Sequence, residues 1–152
     1  MPNSQAIGVA FADQIISGGT VDNTPIGASI PSTIEGTTIY ADVEIGYAAV
    51  AQGAVTQATS KSTGVTLNTS AGQITMNAAS LAATTNVTFT LTNSTISAKD
   101  VLLLNVTNGT SASYNAFVSS MTAGSATITL RNISASPLAE AVVLNFAIIH
   151  CA

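Results

Sequence analysis

NVTFTLTN, residues 86–93, alternates without a break: Val87, Phe89 and Leu91 fall on one side of an extended chain, and Thr88, Thr90 and Thr92 on the other. A period of two marks a half-buried strand. The same period recurs in both directions along the chain. GQITMN (72–77) puts Ile74 with Met76, and SATITLRNIS (125–134) puts Ala126, Ile128 and Leu130 on one face. With AVTQA (54–58), GVTLN (64–68), DVLLLNVT (100–107), SASYNAFVSS (111–120) and AVVLNFAIIH (141–150), these make eight candidate strands, separated by Gly, Asn and Ser clusters. Such spacing predicts an all-β domain over residues 54–152, an eight-stranded antiparallel β-sandwich of jelly-roll or immunoglobulin-like connectivity. TNGTS (107–111) and TAGSA (122–126) place Gly109 and Gly124 where hairpin turns need positive φ.

Two strands break the alternation. VLLLNV (101–106) and AVVLNFAII (141–149) are apolar on both faces, so each is covered twice within the subunit or turns one face to a neighbour. The outer faces of a two-sheet domain are normally wet, which favours the neighbour. Leu102, Leu104, Val143 and Ile149 are the candidate subunit-interface residues.

Residues 1–53 read differently. Five of the seven acids, Asp13, Asp22, Glu35, Asp42 and Glu44, lie there, and no Lys or Arg precedes Lys61. SGGTVDNTPIGASIPST (17–33) carries a turn signal every few residues, which excludes a long helix. The prediction is an extended acidic arm with short strands, and NSQAIGVAFADQII (3–16) could supply a helical turn or two.

Composition narrows the function. Charged residues are 7% of the chain and hydrophobic ones 47%, so its surface is hydroxyls and amides, without the mixed charge that keeps monomers apart. The chain is expected to work inside an assembly. A net charge of −4 with three scattered cations cannot form a phosphate-binding stripe, so nucleic acid is excluded as a partner. No apolar run is long enough to span a membrane, and MPNSQAIG lacks the basic start of a secretory signal. One cysteine, Cys151, leaves no internal disulfide and no thiolate set for zinc.

Each candidate site reduces to structure. Lys61-Ser62-Thr63 lacks the glycines and the helix of a phosphate loop, and becomes a polar turn between the first two strands. His150 and Cys151 are adjacent in a strand, so they point apart and cannot act as a nucleophile–base pair. Asp42 and Glu44 would share a face in a strand, but no calcium loop surrounds them. Asn-x-Ser/Thr triplets at Asn68, Asn86, Asn93, Asn105, Asn108 and Asn132 follow from a composition rich in Asn and Thr. No enzyme, cofactor or metal is predicted.

The block VTQATSKSTGVTLNTSAGQITMNAASLAATTNVTFTLTNSTISAKDVLLLN (55–105), continuing in ATITLRNISASPLAEAVVLNFAIIH (126–150), resembles a β-rich domain of tailed-bacteriophage virion proteins. ISGGTVDNTPIGASIPST (16–33) resembles the short stem motif of phage tail fibres and spikes. The resemblance implies a homotrimeric structural protein of the virion, made in the bacterial host cytoplasm, with no catalytic residues. No long shaft follows the stem motif, which favours a head decoration, or cement, protein on the capsid surface. The arm would then bind the major capsid protein through Ile7, Val9, Phe11 and Ile15, with Asp13 and Asp22 beside them. The alternative is a tail fibre or tip adhesin that binds host surface glycan, for which Tyr114 and Phe117 are the nearest stacking residues.

Overall fold

The computed structural model describes Gly36 and residues 38–151. The predicted capsid-contact residues Ile7, Val9, Phe11, Asp13, Ile15 and Asp22 lie outside the described residues. The chain divides into two units after Asp42. Residues 38–48 form no helix or strand, so Asp42 and Glu44, both exposed, share no strand face.

The unit from Val43 onward is all-β. After a single 3-10 turn (Ala49–Ala51), the chain runs through β1 (Gln52–Thr56), β2 (Val65–Thr66), β3 (Ala71–Thr75), β4 (Asn86–Thr92), β5 (Val101–Asn108), β6 (Tyr114–Thr122), β7 (Ser125–Asn132) and β8 (Val143–Ile149). These form two four-stranded sheets, sheet A in the order β1-β3-β8-β5 and sheet B in the order β2-β4-β7-β6. No described helix is long and apolar enough to cross a membrane.

The expectation of purely antiparallel sheets needs correcting. β1 pairs with β3, and β2 with β4, in parallel, whereas the other pairings are antiparallel. The cause is the weave of the chain. β1 is followed by β2 in the opposite sheet, and β3 returns beside β1 in the same sense, giving the crossover that parallel neighbours require. Among the described strands, only β6 and β7 are both consecutive and paired. Their hairpin turns at Ala123–Gly124, with Gly124 at φ +80°. Gly109 also has positive φ, at +128°, but it belongs to a connection from sheet A to sheet B rather than to a hairpin.

The core lies where alternation placed it. Ile74, Met76, Phe89, Leu91, Ala126, Ile128 and Leu130 are buried, with Val87 packed against them. Leu144, Phe146 and Ile148 of β8 and Leu102 of β5 close it from the other side. Each of these side chains larger than alanine contributes about 1.5–3 kcal/mol on removal from water.

Two asparagines close the strand ends. Asn93 and Asn132 are fully buried. Asn93 donates through Nδ2 to the Thr69 carbonyl (2.8 Å) and accepts at Oδ1 from the N–H (2.9 Å) and hydroxyl (2.7 Å) of Thr95. Asn132 donates to the carbonyls of Leu81, Ala82 and Ser136, and accepts from the N–H and hydroxyl of Ser134. At both positions the Asn-x-Ser/Thr triplet is a structural clasp rather than a by-product of composition.

Candidate functional site

Three places gather polar or apolar chemistry beyond the core. The first surrounds Lys61. It sits in the turn between β1 and β2 as the spacing predicts, yet it is only 3% exposed. Its ammonium donates to the carbonyls of Asn77 (2.7 Å) and Glu140 (2.5 Å). Gln57, also buried, donates to the carbonyls of Lys61 and Thr63 and accepts from the Asn77 N–H. The turn is therefore sewn to two distant loops. Burial lowers the Lys61 pKa from its ordinary value, and the Glu140 carboxylate opposes that shift. Glu140 itself is held below the ordinary carboxylate range, chiefly by the Thr110 N–H at 2.8 Å. Tyr114 is pushed up to about 12 by burial, with the Glu140 carboxylate alongside. Its buried hydroxyl nevertheless makes no hydrogen bond of ordinary geometry.

The second place is the end of β8. His150 and Cys151 lie just beyond β8 rather than within the strand, and the residue that joins them is Asp100. His150 Nδ1 lies 2.9 Å from Asp100 Oδ2, and the Cys151 N–H donates to Asp100 Oδ1 at 3.0 Å. The Ser97 N–H, at 2.8 Å from Oδ2, is the main cause of a lowered Asp100 pKa, with Cys151 and His150 adding to it and burial opposing. This carboxylate fastens the chain's last described residues to the loop before β5. The Cys151 side chain is exposed, its sulfur 3.9 Å from the Ile149 carbonyl. No group of three or more metal-binding side chains occurs among the described residues.

The third place is the outer face of sheet A. β5 pairs with β8 so that Leu102 opposes Ile148 and Leu104 opposes Phe146, which turns both leucines inward. Leu102 is buried and Leu104 packs against the core. Leu102 and Leu104, expected at a subunit interface, therefore face the core instead. Val101 (46% exposed) and Leu103 (51%) point outward, beside Ala147 and Ile149 (53%) of β8. Val143 lies outward as expected, in the rank of Thr75. The segment Ile45–Gly46–Tyr47 borders this face. Together with Leu103, Ala147, Ile149 and His150 it lines an apolar groove of about 640 Å³. Tyr47 anchors the segment by donating its hydroxyl to the Ile148 carbonyl.

No family model, curated protein or solved structure matches the chain. The functional reading therefore rests on geometry and on the residues themselves. Tyr114 and Phe117 do not make a stacking platform. Tyr114 packs inward against the core, and Phe117, three residues on in β6, is on the outer face of sheet B opposite Thr129.

Proposed function

We propose that this chain is a bacteriophage head decoration protein, a homotrimer that binds the outer capsid surface through its acidic N-terminal arm, the residues before the sandwich unit that begins at Val43, and stabilises the shell. The observation that carries this reading is the outer face of sheet A, where Val101, Leu103 and Ile149 are about half exposed among the described residues, whereas the outward positions of β4 on sheet B are Thr88, Thr90 and Thr92. An apolar face of this kind suits a subunit that works packed against others. The stem-like stretch at residues 16–33 supports placing it in a virion. The role is mechanical: the sandwich acts as a knob, and the acidic arm bridges neighbouring capsid subunits by adding strands or apolar anchors to their edges.

The decisive measurement is the position and copy number of the chain in an intact particle. Many copies distributed over the head are expected. A few copies at the tail tip would replace this reading with the adhesin, and absence from particles would remove both. Deleting residues 1–40 should leave a folded trimer that no longer binds heads, and retained binding would refute the division of labour between arm and sandwich.

A further inference from the structure

The four strands of sheet A contain no Asp, Glu, Lys, Arg or His. Their outward positions fall into ranks across the sheet. One rank is Ala54, Gln73, Asn145 and Asn105, and the next is Gln52, Ala71, Ala147 and Leu103, with Ile149 and Val101 beyond. We infer that this face is where copies of the chain meet, the bulky β5 half of one copy packing on the small-residue β1–β3 half of the next, in a closed three-membered ring.

Three features select a second copy rather than a different partner. An acidic or basic protein would find no charge here to pair with, and would have to bury its own charges uncompensated. A copy brings none. The carboxamides of Gln73, Asn145 and Asn105 each carry donors and acceptors, and only the Gln73 Nε2 to Asn145 Oδ1 bond, at 3.0 Å, is made between them. The same rank on a neighbour offers the matching groups. Shape is the third feature. Val101, Leu103 and Ile149 stand out on one half of the face, whereas Ala71 and Gly72 floor a depression of about 260 Å³ on the other. Unlike halves on one face make a head-to-tail contact, which closes as a ring when the rotation between copies allows it and runs on as a filament when it does not; the trimeric reading requires the ring.

The inference rests on the trimeric reading above, so its test is kept apart from capsid attachment. The wild-type chain should run in solution at three times its 15.2 kDa mass, and Leu103→Lys and Ala147→Lys should each reduce it to a monomer with an unchanged β-sheet circular dichroism spectrum. In the wild-type chain, amide exchange at residues 101–105 should slow on going from dilute to concentrated protein. That measurement answers the question even where a lysine variant fails to fold. A wild-type monomer or dimer, variants that stay trimeric, or exchange independent of concentration would overturn this surface. Head binding of the monomeric Leu103→Lys chain, measured on particles, then reports on the attachment role by itself.

Discussion

On sheet B the outward positions of β4 and β7 are Thr88, Thr90, Thr127 and Thr129. The Thr129 hydroxyl is bonded to those of Thr88 (3.1 Å) and Ser119 (2.8 Å). On sheet A the corresponding positions of β5 and β8 are Val101, Leu103, Ala147 and Ile149. Both faces back onto one core, and among the described residues neither carries an ion pair. β-branched side chains suit the pleat equally well as Thr or as Val and Ile. What separates these positions is whether the outward group can hydrogen-bond: the Thr129 hydroxyl, itself buried, is satisfied by its neighbours, while Thr88 and Thr90 stand exposed. The sandwich can thus vary its exterior without altering its interior.

Changes to the interior, the clasps and the faces would break or sharpen that contrast. The largest effect should come from the shared interior, which belongs to neither face. Phe146→Ala behind sheet A and Ile128→Ala behind sheet B should each cost about 3–4 kcal/mol in denaturant unfolding. A markedly smaller cost on one side would mean that the core is not common to both sheets. Next is Asn132→Ala, which leaves three carbonyls without their donor and should cost about 3 kcal/mol, whereas Asn86→Ala, exposed on β4, should cost under about 0.5 kcal/mol. Lys61→Met should cost about 2 kcal/mol, because two carbonyls lose a charged donor.

The smallest effect on stability tests the faces themselves. Thr88→Val with Thr90→Val should change unfolding free energy by less than about 0.5 kcal/mol per site, yet make sheet B sticky, visible as new concentration-dependent light scattering. Unaltered scattering would show that solvation of that face does not control association. Acid adds a condition to all of these measurements. Asp100 and Glu140 are held below their ordinary values of 3.8 and 4.5, so the stability they contribute is complete above those values and is lost as pH falls through the lowered ones. Asp100→Asn should flatten that part of the acid-unfolding curve.

Strand positions were legible because alternation reports which face a residue takes. Val87, Phe89 and Leu91 needed nothing more. Alternation does not report direction, so the parallel pairing of β1 with β3 was invisible. It also loses phase in an unbroken apolar run: VLLL permits either pair to face inward. Asn105 held the missing clue, because an amide two positions beyond Leu103 on a lateral strand marks the outward parity, as Asn145 does for Val143 and Ile149. The burial of Lys61 had no such signal. Its carbonyl partners are 16 and 79 residues away, and backbone carbonyls carry no sequence mark.

The clasps at Asn93 and Asn132 have a consequence for how the protein can be made. Each uses the same three-residue pattern that a glycosylating secretory pathway recognises on an unfolded chain. In a bacterial cytoplasm the pattern is silent, and the amide is free to enter the strand end. In a host that attaches sugar during translocation, a glycan on either asparagine would occupy the nitrogen that must reach Thr69 or Leu81, and the strand end could not close. The route of synthesis therefore belongs to the folding instructions of this chain as much as the residues do.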